Sequence, residues 1–225
     1  MPNKANNRIL YNMSIIRRPF RDNSYNNIVF VLIGLNVLVY LAVRLLWGQI
    51  PLFPLLAMNP ALVLARGWVW QFFTYMFVHD LNNITHLLFN MLALFIFGRQ
   101  VEQRIGSREF LLFYIVTGML AGIFSFFAYL FTGNLWISLV GASGAIFAVQ
   151  LAFAVFFPHA IIYIWGILPL RAPLMVLGFT GLQVVFMITG SGGNVAHVTH
   201  LAGFAFGWLY FLARFGVDPW KAMRQ

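Results

Sequence analysis

Residues 28–47 read IVFVLIGLNVLVYLAVRLLW, with a single charge, Arg44, near the far end. A helix of about 20 such residues rises about 30 Å, the hydrocarbon thickness of a bilayer. The stretch is therefore long enough to span. No small-residue cleavage site stands out after it, so it reads as an uncleaved signal anchor. The segment before it, 1–27, is polar and basic, with Lys4, Arg8, Arg17, Arg18 and Arg21.

The rest of the chain has the same character. Of its 225 residues 61% are hydrophobic and only 8% charged, against about 25% charged in an ordinary soluble domain. Too few polar residues remain to cover a soluble surface. Inside lipid only helices or closed barrels satisfy every backbone hydrogen bond. The apolar runs here lack the two-residue alternation of barrel strands, so helices are expected. The net charge of +9 would point to nucleic acid in a soluble protein. Here the basic residues flank apolar runs, so membrane topology accounts for them and no nucleic-acid partner is expected. The absence of cysteine removes disulfides, thiolate metal sites and cysteine nucleophiles.

Reading outward from 28–47 gives six expected spans: 28–47, 85–101, 110–132, 143–157, 172–189 and 195–215. The connection 48–84 is apolar but interrupted by Pro51, Pro54 and Pro60. It carries Trp68 and Trp70, which favours the membrane interface over a crossing. A charged turn with Glu102, Arg104, Arg108 and Glu109 separates spans two and three. Residues 159–171 are expected to be a loop, and Gly190–Asn194 a flexible turn. The fourth run is short. From Ser143 to Phe157 a helix rises only about 22 Å, too little to cross about 30 Å of hydrocarbon. It must begin partway into the membrane, and irregular backbone at that depth is tolerated only beside protein or a wet cavity.

If the N-terminus is cytoplasmic, 12 of the 14 Lys and Arg residues fall on the inner side. The positive-inside rule therefore places both termini in the cytoplasm. The organisation expected is a basic segment 1–27, one membrane domain 28–215 and a tail 216–225, without internal repeats.

Polar side chains within spans are expensive, so each is a functional candidate. Five stand out: His86, Asn90, Ser143, His197 and His200. Ser143 lies about 15 residues before Pro158 and His200 about 14 before Arg214. Both are thus about 21–23 Å from the cytoplasmic edge, a common depth at which they can meet. Ser143 sits in Gly141-Ala142-Ser143-Gly144, and His200 precedes Gly203 and Gly207. Small residues of this kind let helices approach closely, although they are also ordinary packing devices. Ser143 is expected at a helix N-terminus, where free N–H groups favour a developing oxyanion. His86 and Asn90, at i and i+4, share a helix face. They form either a polar cap at the helix end or part of an oxyanion hole. No Asp or Glu lies within the expected spans, which disfavours an aspartyl protease. A Ser–His pair needs no carboxylate in principle. No H-E-x-x-H motif is present and His197-x-x-His200 lacks an obvious third ligand, so no metal or other cofactor is expected.

Taken in order, these motifs resemble the rhomboid intramembrane serine proteases over nearly all of residues 28–215. Gly141-Ala142-Ser143-Gly144 is similar to the family's GxSG, and His200-Leu-Ala-Gly203-Phe-Ala-Phe-Gly207 to its HxxGxxxG. His86-Leu-Leu-Phe-Asn90 resembles its HxxxN, and Gly98-x-x-x-Glu102-x-x-x-Gly106 its turn after the second span. Trp70 resembles part of a Trp-Arg stretch in its first loop. The departures are Gln71 in place of Arg, a wider spacing of His79 and His86, and Phe147 in place of a Tyr. The resemblance implies a six-helix bundle with Ser143 as nucleophile and His200, rather than His197, as base. It implies an oxyanion hole from His86, Asn90 and the Ser143 N–H, with packing around the site by Gly141, Gly144, Phe147, Gly203 and Gly207. The substrates implied are transmembrane helices cut near their outer end, in a lipid bilayer, with 190–194 as a cap over the site. A compact chain of this kind suits a bacterial inner membrane. Two other readings compete. An inactive relative that binds client helices would usually have lost the nucleophile or the base, and this sequence keeps both. A transporter tends to show internal repeats, and none is found.

Overall fold

A computed structural model describes residues 25–164, 166–190 and 194–225. Residues 1–24, most of the basic segment, lie outside it, as does 191–193 of the expected glycine-rich cap. The chain is mainly helical. Among the described residues four helices are long and apolar enough to cross a membrane: α1 (Ile28–Leu45), α5 (Ile84–Ile105), α6 (Ser107–Thr132) and α8 (Ala172–Thr189). A shorter apolar helix, α7 (Ser143–Phe156), has 14 residues, and α9 (Asn194–Tyr210) has 17. The short helix expected from the sequence is therefore present, rising about 21 Å. By length and apolarity four helices stand out as spans, against the six expected.

Three short helices, α2 (Leu52–Leu56), α3 (Pro60–Arg66) and α4 (Gln71–Thr74), fill the connection after α1. α4 runs into a 3₁₀ turn, Tyr75–Phe77. A final helix α10 (Pro219–Met223) is capped by Asp218, whose side chain accepts from the Trp220 N–H. Two wide π turns interrupt the long helices, at Leu94–Gly98 within α5 and at Phe211–Phe215 following α9.

Residues 159–171, read as a loop, contain an antiparallel hairpin of β1 (Ile161–Ile164) and β2 (Leu168–Arg171), with Ile161 opposite Arg171. The fold is thus not purely helical. β-Branched and aromatic residues in β1 favour the extended chain, and Gly166, at φ 71°, makes the turn. Pro169 is tolerated because a two-stranded ribbon has only edge strands. The charged turn between spans two and three also changes character. α5 continues through Glu102 to Ile105, and Glu102 is fully buried. Its carboxylate accepts the Ile28 N–H at 2.8 Å and the Val29 N–H at 3.0 Å, and also bonds the Ser107 hydroxyl. A carboxylate on two free N–H groups at a helix start satisfies donors that lipid cannot. Glu109, expected in the same turn, is buried near the start of α6 and binds Arg214 and Tyr210.

α7 is the centre of the bundle. Eleven of its 14 residues are buried, and it packs against α9, α6, α5 and α8. α9 and α7 meet through small residues. A Cβ on Gly203 would stand 1.9 Å from the Gly144 carbonyl oxygen, and one on Gly207 would stand 2.9 Å from the Ala148 Cβ. α9 meets α6 through a hydrogen bond between Thr199 and Ser125, 2.6 Å.

Candidate active site

Ser143 is the first residue of α7, at the helix N-terminus expected for it. The chain leading to it, 134–142, hangs on the first loop. Leu139 and Met58 exchange N–H···O bonds of 2.8 and 3.1 Å, and Ala61 N–H reaches Leu135 O at 3.0 Å. Gly141 N–H reaches Tyr75 O at 3.0 Å. The irregular backbone expected ahead of the short helix is therefore present, and the first loop supplies partners for part of it. Gly141 sits at φ 113°, where side chains are disfavoured. A Cβ there would also lie 2.9 Å from the His86 ring.

Gln71, standing where the family resemblance implies Arg, ties two parts of the first loop together. It is fully buried. Its Oε1 accepts the Asn59 N–H at 3.0 Å and its Nε2 donates to Pro54 O at 2.8 Å. Asn59 caps α3 through its side chain and donates to Trp136 O at 3.1 Å. The neutral Gln71 amide thus holds the Asn59 backbone within the first loop, and the Asn59 side chain joins that loop to the segment leading into Ser143.

Ser143 Oγ lies 2.7 Å from His200 Nε2, although 57 residues separate them. The close contact of Gly144 with Gly203 brings the two backbones near enough for this bond. The ring of Phe147, one turn after Ser143, stacks on the His200 ring with centroids 4.5 Å apart and planes at 10°. The face-on stack holds the imidazole flat without a hydroxyl. His86, at the start of α5, borders the Gly141 backbone. Asn90 is buried, and its Nδ2 donates to the His86 carbonyl at 2.8 Å. His79, buried in the first loop, packs on His86 with ring centroids 5.2 Å apart. Burial, and secondarily the neighbouring His86, pushes the His79 imidazole down to about 4.

His197, one turn before His200, faces Gln183 on α8. Its Nδ1 lies 2.6 Å from Gln183 Oε1, and His200 Nδ1 lies 2.9 Å from the same oxygen. Gln183 was missed among the polar residues singled out within the spans. It sits in the apolar run of α8, and the same cost of intramembrane polarity marks it. A serine hydroxyl bonded to an imidazole at a helix N-terminus is an arrangement capable of nucleophilic attack on a carbonyl.

The long apolar helices make this an integral membrane protein. A match to the Rhomboid domain covers residues 66–216, and the chain belongs to the rhomboid family. It is 30% identical over 171 residues to the rhomboid protease AarA of Providencia stuartii, covering 68% of this chain and 58% of that protein. It is 31% identical over 128 residues to the rhomboid protease GluP of Bacillus subtilis, covering 56% of this chain and 24% of that protein. With the rhomboid protease GlpG of Haemophilus influenzae it shares 35% identity over 95 residues, covering 42% of this chain and 47% of that protein. The chain thus spans less than two thirds of the length of each of these relatives.

Proposed function

We propose that this chain is an intramembrane serine endopeptidase that cuts transmembrane helices of other membrane proteins near their outer end. The observation that carries the proposal is the 2.7 Å contact between Ser143 Oγ and His200 Nε2 in a member of the rhomboid family. In this reading the bundle has six spans, with the shorter α7 and α9 as the fourth and sixth. Both termini are cytoplasmic, in a bacterial inner membrane. The distribution of Lys and Arg supports that orientation.

His200 Nε2 takes the proton of Ser143 as Oγ attacks the carbonyl carbon of the scissile peptide. The tetrahedral oxyanion is met by the Ser143 N–H and by His86 and Asn90. The dipole of α7 adds to this, because Ser143 stands at its positive end. Collapse breaks the C–N bond, and His200 returns the proton to the departing nitrogen. Water then attacks the acyl-enzyme with His200 again as base, releasing the acid and restoring Ser143. Phe147 keeps the imidazole plane fixed through both steps. Gly144, Gly203 and Gly207 set the distance between the two helices.

The test is cleavage of a reporter transmembrane substrate by purified protein, comparing wild type with Ser143→Ala. Cleavage by the wild type that disappears in the variant is expected. Cleavage that survives in the variant would remove Ser143 as nucleophile.

A further inference from the structure

The proton bookkeeping around His200 leads to a residue outside the Ser–His pair. An amide carbonyl oxygen can only accept hydrogen bonds, and it has two lone pairs to do so. Gln183 Oε1 faces two imidazole Nδ1 atoms, His197 at 2.6 Å and His200 at 2.9 Å. Both Nδ1 atoms must then carry the proton. A neutral imidazole protonated at Nδ1 has a bare Nε2, and the bare Nε2 of His200 is the atom 2.7 Å from Ser143 Oγ. That is the one neutral form able to accept the serine proton.

The opposite arrangement works against the reaction. With the Gln183 amide nitrogen turned toward the rings, both Nδ1 atoms would accept. The His200 proton would then sit on Nε2 and point at Ser143 Oγ.

The setting suits a fixed orientation. Gln183 is half-buried on α8. The buried residues of that helix, Ala172, Met175 and Val176, all lie in its first turns. Its later part reaches α9 through Gln183 and through Phe186, whose ring lies 5.5 Å from that of His197. The two contacts place the amide where the histidines converge.

We propose that Gln183 is a positioning residue that holds His200 in the Nδ1–H form, with His197 as the second donor that orients the amide oxygen. This rests on the reading of His200 as the base. It acts through His200 and does not touch the scissile peptide. A neutral side chain thereby takes the place that a carboxylate holds in soluble serine proteases.

The experiment uses the full chain labelled with ¹⁵N-histidine in lipid nanodiscs, with the His200 signals identified by their loss in His200→Asn. In the wild type the His200 Nδ1 resonance is expected at the protonated position and Nε2 at the unprotonated one. In Gln183→Met, which keeps the length and apolar stem but lacks the acceptor, the Nδ1–H preference is expected to disappear. With it kcat falls by at least about 10-fold while KM changes less than about 3-fold. Gln183→Glu keeps an acceptor oxygen and is expected to retain the Nδ1–H form. A wild-type His200 protonated at Nε2 overturns the proposal, as does an unchanged tautomer in Gln183→Met. If Gln183→Met does not fold, the wild-type spectrum alone decides. The spectra do not depend on turnover. A wild type that carries Nδ1–H but cleaves nothing would therefore count against the protease reading, while the tautomer assignment stands.

Discussion

Gly203→Ala isolates the helix contact on which the Ser–His distance depends. The added Cβ would stand 1.9 Å from Gly144 O, 2.7 Å from Gly144 C and 3.1 Å from Gly144 Cα. All three are backbone atoms, so no rotamer change relieves the clash. Restoring ordinary contact requires the two helices to separate by about 1.5 Å at this level. His200 lies three residues before Gly203, and Ser143 adjoins Gly144. A separation of that size stretches the 2.7 Å bond to about 4 Å, beyond hydrogen-bonding reach. A misplacement of about 1 Å can cost about 10²-fold in rate. The stability cost is smaller, because overpacking of about 1–3 kcal/mol is partly offset by about 1 kcal/mol of helix propensity gained over glycine. The expected signature is therefore an activity loss of about 100-fold or more with a modest fall in Tm. Cleavage of a reporter substrate in liposomes, alongside thermal unfolding, reads both. Gly178→Ala on α8, where a Cβ would meet nothing within 4 Å, is the control and should cleave normally. A Gly203→Ala enzyme within about 3-fold of wild type and equally stable would refute the reasoning.

Three further outcomes are expected. His200→Ala should abolish cleavage, whereas His197→Ala should cost no more than about 10-fold, because the Nε2 of His200 lies 2.7 Å from Ser143 Oγ while His197 faces Gln183; equal losses would count against the assignment of the base. Phe147→Ala removes a stacking contact worth about 0.5–1.5 kcal/mol and should slow cleavage by about 3- to 10-fold with little change in KM, while Phe147→Leu should fall between. For His79 the folded value of about 4 lies below the ordinary 6.5, so the unfolded chain takes up the proton first. Its contribution is complete above about pH 6.5 and is lost as pH falls from there through about 4, a difference of about 3 kcal/mol. Tm measured from pH 7.5 to 4.5 should therefore drop on the acid side, and His79→Leu should flatten that drop.

The equal depth of Ser143 and His200 was legible because each span supplies its own ruler, a cytoplasmic marker counted back at a fixed rise per residue. The short fourth helix and the small residues beside it could be read for the same reason: they are local properties of one segment. Partners chosen across the chain could not. Nothing near Glu102 says that its carboxylate will seat on the N–H groups of Ile28 and Val29. Nothing near Gln71 announces Asn59 and Pro54. Gln183 was within reach, as a lone amide in an apolar run, but its two histidine partners come from the packing of α8 on α9. The hairpin at 161–171 carried its own signal in Ile161-Ile162-Tyr163-Ile164 and Gly166. Trp165 and Pro169 in the same stretch favour a loop on sequence alone.

The wide turn at Phe211–Phe215 acts as a phase shifter between the two ends of the last helix. In a regular helix Tyr210 lies about 60° to one side of Gly207, and Arg214 returns to within about 20° of it. Gly207 faces Ala148 on α7, so a regular helix would aim Arg214 at α7 as well. A π turn advances fewer degrees per residue. Over five residues it lags by about one residue's step, which leaves Arg214 on the Tyr210 side. Both then converge on Glu109 of α6, Arg214 Nε at 3.1 Å. One helix can in this way keep a glycine face tuned to α7 at the level of His200 and still end in an ion pair with α6. The angular mismatch between the two contacts is absorbed in a single turn, away from the site.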